Sequence, residues 1–326
     1  MNYWYSKPHW DYDREKLCFI EISDSKEHDE HSNPIDEPRP GSVIKVVDDY
    51  YSCSKFTEIS EEAQEEDSQG SSNNIDKDKI GTDEVRIENI WILKDIALEM
   101  IYCPKGSFRM GSPKKREEYP HEVKLTKPFY IGKYPVTQMQ YYAIMKKQPS
   151  FFKGEDRPVE SVSWDDAKEF VENINFLYKR QLPQGYKFAL PSEAQWEYAC
   201  RAGTTSDLNN GRNIISGTGK SESLDEVAFY SQNSDDKTHP VGKKKPNNWG
   251  IYDMHGNVCE WCEDIYDYYP ERDVTDPTGP ESGSYHVLRG GSYLSNPGTC
   301  RSASRYYNYH DDKQKFMGFR LAMIKE

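Results

Sequence analysis

Beyond Cys200 the sequence has no long apolar or periodic segment, and this feature constrains the fold more than any other. Gly, Asn, Asp and Pro recur there at short intervals, and the strand candidates are brief, such as residues 285–288 and 318–322. Closely spaced turn-forming residues break a chain into short strands joined by loops. We therefore predict an α+β domain that is loop-rich and built around a small sheet. Because such domains carry function on their loops, we look for site residues there.

Composition divides the chain into three parts. Residues 1–53 contain apolar, β-branched runs at 17–22 and 42–47, which predict a small N-terminal segment with short strands. Residues 54–88 are dominated by polar and acidic residues that cannot bury enough apolar surface to order themselves, so they are predicted to form an acidic, disordered linker. Residues 89–326 form the main domain.

Three helices are predicted in the first half of the main domain. One begins at Thr137, and a second begins at Ser163 and places apolar residues of 167–177 on one face. A third begins at Ser192, where Gln195 three residues later completes a capping box. Polar residues that cap the backbone thus mark where each helix starts.

The overall charge and the cysteines limit the partners and the compartment. A net charge of −13 argues against nucleic acid as the main partner, because phosphates require a positive field. There is no apolar window of 18 residues and no apolar leader at the N-terminus, so we expect no membrane association and no signal peptide. The seven cysteines are odd in number and scattered, so we expect them to be reduced and the protein to be cytoplasmic.

A series of ordered motifs in the main domain resembles the formylglycine-generating-enzyme, or sulfatase-modifying-factor, family. The motif Phe-Arg-Met-Gly-Ser at 108–112 opens the series, and Gly-Phe-Arg-Leu at 318–321 closes it. The motifs between them occupy residues 129–137, 157–164, 190–199, 248–261 and 289–292. The resemblance implies a variant of the C-type lectin fold, which hosts copper-dependent oxidases and also non-catalytic ligand binders.

The oxidases of this family hold Cu(I) with two cysteines that follow the Arg-Gly-Gly-Ser motif, a ligand pair that suits a soft ion. By spacing, these positions are Ser295 and Cys300, and Ser292 matches the serine of the family's site. Because a serine hydroxyl stays protonated near neutral pH, we expect no copper and no catalytic residues. The alternative is a copper-dependent formylglycine-generating oxidase that acts on sulfatase-type cysteines through Cys300 and Ser292.

Two further features could bind a metal. Cys259 and Cys262 form a C-x-x-C pair, but no second pair completes a tetrahedral site, so we interpret them as packed, reduced thiols. The resemblance also implies structural Ca²⁺ held by Asn257 and Glu260, since oxygen ligands suit this hard ion. The competing interpretation is an Asn that stabilises its own turn and a Glu paired with an arginine.

The strip between Arg289 and Phe319 has the composition of a binding surface. Tyrosine offers a large, rigid contact area, while Ser, Asn and Asp adapt their hydrogen bonds to a ligand. We predict that this C-terminal face binds a protein or another macromolecule. The predicted ligand-binding residues are Tyr293, Ser295, Asn296, Thr299, Tyr306, Tyr307, Asn308, Tyr309, His310 and Asp312.

The strip is also similar to that of variable proteins of diversity-generating retroelements. In these proteins, adenine-directed mutagenesis diversifies exposed residues, and Asn codons yield Tyr, Asp, His, Ser and Thr. Residues 314–316, and His310 where a Pro is usual, depart from the pattern. The other interpretation of the strip is a structural loop without a ligand.

Overall fold

The computed structural model describes residues 9–11, 16–23, 43–47, 87–93 and 96–326. The chain divides into two compact units, Met1–Gly81 and Thr82–Glu326. The predicted acidic linker at 54–88 lies outside the described residues, except for residues 87 and 88 at the start of a strand.

The first unit contains an antiparallel sheet of three strands in the order β1-β2-β3. Two of them coincide with the apolar runs of the sequence at 17–22 and 42–47. The strands are β1 (His9–Asp11), β2 (Lys16–Ser23) and β3 (Val43–Val47).

In the second unit, a five-stranded sheet has the order β4-β5-β8-β17-β9. Strands β8 and β17, which lie far apart in the sequence, pair antiparallel there. The strands are β4 (Ile87–Leu93), β5 (Ile96–Cys103), β8 (Phe129–Gly132), β9 (Tyr186–Ala189) and β17 (Ala322–Lys325).

A four-stranded sheet has the order β15-β14-β12-β16, with β15 at its edge. A three-stranded sheet, β13-β7-β6, and a strand pair, β10-β11, complete the unit. The four strands are β12 (Cys259–Ile265), β14 (Tyr285–Arg289), β15 (Arg305–Tyr309) and β16 (Met317–Phe319). The remaining strands are β6 (Gly106–Met110), β7 (His121–Leu125), β10 (Ala228–Phe229), β11 (His255–Gly256) and β13 (Val274–Thr275).

The single strand predicted at 318–322 is two strands in the structure. Residues up to Phe319 belong to β16 in the four-stranded sheet, and residues from Ala322 belong to β17 in the five-stranded sheet. The chain changes sheets at Arg320, whose fully buried side chain pairs with Glu260 of β12. Apolar character alone does not reveal such a change of sheet.

Four α-helices lie between the strands, and three begin at the predicted residues. Thr137, Ser163 and Ser192 each accept a hydrogen bond from the third helical residue in a complete capping box. The helices are α1 (Gln138–Met145), α2 (Trp164–Tyr178), α3 (Glu193–Arg201) and α4 (Glu222–Asp225).

Strand β14 separates two hydrophobic cores. Leu288 packs into the core formed with α1 and α2, whereas its neighbour Val287 packs into the core formed with α3. Successive side chains of a strand face opposite sides, so a central strand can serve two cores at once. The fold is therefore α+β and loop-rich, as predicted. No described helix is long and apolar enough to cross a membrane.

Candidate ligand-binding pocket

Strand β15 presents alternate side chains to opposite sides of its sheet. Tyr306 lies opposite Leu288 of β14, and both residues line one pocket. Tyr307 and Tyr309 instead contact the ring of Tyr285. The strip that the sequence predicts as one binding surface therefore extends over both sides of the strand, with the rings of Tyr306 and Tyr307 6.2 Å apart at its edge. The physical reason is the two-residue period of a strand.

The pocket has a volume of about 320 Å³ and lies beside the Arg-Gly-Gly-Ser motif. Its buried lining includes Cys259 and Ser292, while Leu294 and Tyr306 are 41% and 49% exposed. Apolar side chains thus surround a small group of hydroxyl and thiol side chains. Such a combination of apolar walls and a few polar groups is typical of ligand sites.

Ser292 and Ser295 form the polar part of the pocket. The backbone N–H of Ser292 donates to Oγ of Ser295 over 2.9 Å, and the two Oγ atoms are 3.4 Å apart. Oγ of Ser292 also accepts from the backbone N–H of Leu294 over 3.2 Å. The tight turn therefore holds both hydroxyls in fixed positions.

Gly291 allows the turn to lie directly against Cys300. Its φ angle is +71°, a conformation that L side chains rarely adopt. A Cβ atom there would come within 2.9 Å of Cys300 Sγ and 3.1 Å of the Thr299 carbonyl oxygen. Glycine at this position thus brings the serine pair onto the buried thiol.

Two thiols lie next to the serine pair. Cys259 lines the same pocket, and Cys300 lies directly against Gly291 of the turn. Burial raises the pKa of Cys259 to about 12, and burial also raises the pKa of Cys300. Both sulfurs are therefore protonated thiols at neutral pH.

These residues do not fit a bis-thiolate copper site. Cu(I) in such a site needs two deprotonated sulfurs, but burial raises the pKa of both the Cys259 and the Cys300 thiols. Cys300 is fully buried, and Ser295 occupies the position of the family's other cysteine. No described cluster of three or more His, Cys, Asp or Glu residues could hold a metal ion.

The prediction of Tyr293 as a ligand-binding residue does not fit the structure. Its side chain is fully buried, and its ring lies edge-on against Phe152 at a centroid distance of 5.4 Å. The buried position raises the pKa of its phenol to about 12. Tyr293 therefore packs inside the domain and offers no surface to a ligand, because an aromatic residue serves a core as readily as an interface.

The remaining predicted residues are accessible, though several have partners of their own. Asn296 and Thr299 are exposed at the ends of a short 3₁₀ turn, Pro297–Thr299, and Thr299 lines the pocket. Nδ2 of Asn308 donates to Asp312 over 2.6 Å. Nδ1 of His310 lies 2.7 Å from a carboxylate oxygen of Asp165 on α2, and this partner raises the pKa of His310.

The assignment of Asn257 and Glu260 as calcium ligands does not fit the structure. Oδ1 of Asn257 accepts from the backbone N–H of His239 over 2.9 Å. Both oxygens of Glu260 accept from the Arg320 guanidinium over 2.6 and 2.8 Å, and one also accepts from Trp196 over 2.7 Å. All these oxygens already have protein donors. Glu260 pairs with an arginine, as the competing interpretation has it, whereas Asn257 bonds to the backbone of His239 and not within its own turn.

Sequence reasoning missed several pocket residues. Leu288, Leu294 and Phe316 line it, as does Cys259, which the sequence interpretation placed among packed thiols. Cys262, three residues on, is indeed fully buried in the core. The available signal was that Cys259 stands where the family usually has Trp, since a smaller side chain leaves space.

The fold and the pocket define a loop-rich domain of the formylglycine-generating type. The chain belongs to the family described as sulfatase-modifying factor enzyme 1-like domain, whose model matches residues 94–325. It is 31% identical over 246 residues to the chaperone protein LppX of Paenibacillus barcinonensis, covering 62% of this chain and 81% of the relative. It is 34% identical over 177 residues to the formylglycine-generating enzyme of Streptomyces coelicolor, covering 51% of this chain and 52% of the enzyme.

Two solved structures extend the comparison. Treponema denticola variable protein 1 superposes with a TM-score of 0.65 at 30% identity, covering 72% of this chain and 98% of that protein. PvdO from Pseudomonas aeruginosa superposes with a TM-score of 0.61 at 28% identity, covering 72% and 97%. The chain thus spans nearly all of both structures but only about half of the Streptomyces enzyme.

Proposed function

We propose that this protein is a non-catalytic ligand-binding protein whose pocket and rim hold a protein ligand. The observation that carries the proposal is Ser295 at the position of the oxidases' other cysteine, where its Oγ accepts from the Ser292 backbone N–H in a pocket of about 320 Å³. A site of this kind can bind a partner's side chain but has no activated nucleophile or metal-ligand pair.

The rim of the pocket supports a macromolecular ligand. Leu294 and Tyr306 are 41% and 49% exposed there, and Thr299 adds a hydroxyl. Phe151, which is 65% exposed, lies under the ammonium group of Lys315, the neighbour of the pocket residue Phe316. Exposed aromatic and aliphatic side chains around a concave centre are typical of protein–protein hot spots. The similarity to a relative named a chaperone also supports a protein ligand.

The similarity to a variable protein supports the further proposal that the pocket rim is genetically diversified. Tyr306, Asn308 and His310 have the residue types that adenine mutagenesis of Asn codons produces. Diversification requires a near-copy of the codons for residues 289–319, differing almost solely at adenines, beside a reverse transcriptase. Without such a copy, diversification is excluded while ligand binding is unaffected.

Replacing Tyr306 with alanine is expected to weaken pocket ligands strongly. Peptides selected for binding to the wild-type protein from a displayed random library serve as the probe. A central aromatic contact contributes about 2 kcal/mol, so Tyr306→Ala should raise the Kd roughly 30-fold. Tyr309→Ala is the matched control, because Tyr309 is equally exposed on the same strand but faces the other side. Selected peptides that respond equally to both variants would contradict the proposed pocket.

The oxidase alternative is tested with Cu(I), dioxygen and a peptide that contains Cys-x-Pro-x-Arg. We expect mass spectrometry to show no aldehyde at the peptide cysteine. The Streptomyces coelicolor enzyme is the positive control. Ser295→Cys should bind Cu(I) at least about tenfold more tightly than wild type in competition with a chelator, since two thiolates suit this ion. Ser304→Cys, in the same pocket, is the control. Aldehyde formation by the wild-type protein would overturn the non-catalytic proposal.

A further inference from the structure

The side of the β14–β15 pair that faces away from the pocket carries four tyrosines in mutual contact. They are Tyr266, Tyr285, Tyr307 and Tyr309, and we call them the tyrosine row. Ring centroids are 4.3 Å apart between Tyr266 and Tyr307, 5.0 Å between Tyr307 and Tyr285, and 4.6 Å between Tyr285 and Tyr309. The row is a continuous aromatic surface that the pocket does not use.

The tyrosine row is both exposed and rigid. Tyr307 and Tyr309 are 44% and 50% exposed, whereas Tyr266 packs against the core formed with α3 and anchors the row. The hydroxyl of Tyr285 donates to that of Tyr309 over 3.0 Å, and the backbone N–H of Tyr266 donates to the carbonyl of Tyr285 over 2.8 Å. Aromatic side chains fixed in advance lose little entropy when a partner binds.

The inner end of the row already stacks an arginine. The guanidinium carbon of Arg305 lies 4.5 Å from the ring centroid of Tyr266 and 3.8 Å from that of Tyr269. The same guanidinium donates to both carboxylate oxygens of Glu193 over 2.6 and 2.7 Å. The chain therefore places a planar cation against the first ring of the row. Within the described residues, no cation lies over the rings of Tyr285, Tyr307 or Tyr309.

The segment that joins Tyr266 to Tyr285 adds negative charge. Between residues 267 and 281 it carries five exposed carboxylates and a single cation, Arg272. The carboxylates are Asp267, Glu271, Asp273, Asp276 and Glu281, of which Asp273 and Asp276 accept from the backbone N–H groups of Glu122 and Thr126. A cation placed on exposed aromatic rings gains from the ring quadrupole, and acidic neighbours favour it further. Charge and ring geometry therefore select the same kind of partner group.

We propose that the tyrosine row is a second docking surface, which takes an extended, arginine-containing segment of a partner protein. Guanidinium groups of that segment stack on Tyr285, Tyr307 and Tyr309 as Arg305 stacks on Tyr266. An extended chain directs alternate side chains to one side, so arginines two residues apart reach successive rings. Tyr285, Tyr307 and Tyr309 do not line the pocket, and the row contacts the pocket lining through the rings of Tyr307 and Tyr306, whose centroids are 6.2 Å apart.

The test uses acetylated (Gly-Arg)₄ as the probe, with (Gly-Lys)₄ and (Gly-citrulline)₄ as matched peptides. Binding is followed by NMR of isotopically labelled tyrosine rings in the full-length protein at near-physiological salt. We expect (Gly-Arg)₄ to bind more tightly than either matched peptide. Tyr307→Leu should weaken it about two- to fivefold, the effect of one exposed cation–π contact. Tyr306→Leu, on the pocket side of the same strand, should have the smaller effect, because its ring only flanks that of Tyr307 at a centroid distance of 6.2 Å.

Three outcomes would overturn the proposal: equal weakening by Tyr306→Leu and Tyr307→Leu, equal binding of the citrulline peptide, or equal binding of the lysine peptide. The last result would show that net charge alone is recognised. A pocket-selected peptide that binds Tyr307→Leu with wild-type affinity confirms that this variant is folded. Failure of the docking surface leaves the pocket proposal intact, because the two tests use different probes.

Discussion

Replacing Arg320 with methionine is expected to destabilise the domain by about 3–5 kcal/mol, the usual effect of removing one partner of a buried ion pair. Arg320 and Glu260 are both fully buried, and the guanidinium also donates to the carbonyls of Gly132 and Tyr252 over 2.8 and 3.0 Å. The variant leaves the Glu260 carboxylate without its guanidinium and leaves two carbonyls without a donor. Urea unfolding followed by tryptophan fluorescence measures the loss.

Two controls separate the buried pair from charge removal in general. Arg109→Met removes an exposed arginine that lies 3.8 Å from Glu122, and we expect a change of at most about 1 kcal/mol. Combining Arg320→Met with Glu260→Gln should recover part of the loss, because no unpaired charge then remains inside. If Arg320→Met and Arg109→Met proved equally mild, the buried pair would not hold the sheet junction together.

Gly256→Ala is expected to cost about 2–5 kcal/mol of unfolding free energy. Gly256 has a φ of +72°, and a Cβ atom there would come within 2.0 Å of the Phe229 carbonyl oxygen. The left-handed backbone costs about 1–2 kcal/mol for a residue with a Cβ atom, and overpacking adds about 1–3 kcal/mol. The N–H of Gly256 also donates to the carbonyl of Gly290 over 2.9 Å, so the clash disturbs the Arg-Gly-Gly-Ser turn.

Gly211→Ala is the matched control for this prediction. Gly211 has a similar φ of +79°, but nothing lies within 4 Å of the added Cβ atom. This variant should therefore show only the backbone contribution. The difference between the two variants in thermal or urea unfolding isolates the steric contribution. Equal losses would mean that the β10–β11 contact adjusts to the methyl group without strain.

The local elements of this fold were predictable from the sequence, whereas the facing of side chains was not. Helix starts at Thr137, Ser163 and Ser192 follow from short-range capping chemistry, which a sequence displays directly. The burial of Tyr293 depends on the residues that pack against it, such as Phe152. Which side of β15 lines the pocket depends on its pairing with β14. Those partners come from residues far away in the chain, so composition alone grouped side chains that the sheet separates.

The candidate site was predicted in part for the same reason. The replacement of a cysteine by Ser295 is visible in the sequence, and its consequence for copper follows from ligand chemistry. The meeting of Cys259, Ser292 and Ser295 in one pocket required the contact between β12 and the loop after β14. Likewise, the pairing of Glu260 with Arg320 joins residues 60 positions apart.

The edge strand β15 has a consequence for how this protein can evolve. Its five residues place side chains on two opposite surfaces, with Tyr306 and Asn308 on one and Tyr307 and Tyr309 on the other. Neighbouring codons are inherited together, yet selection can act on each surface separately. A single substitution in this strand can therefore change the side chains on one surface and leave those on the other in place. A one-residue insertion would exchange the two sets of side chains.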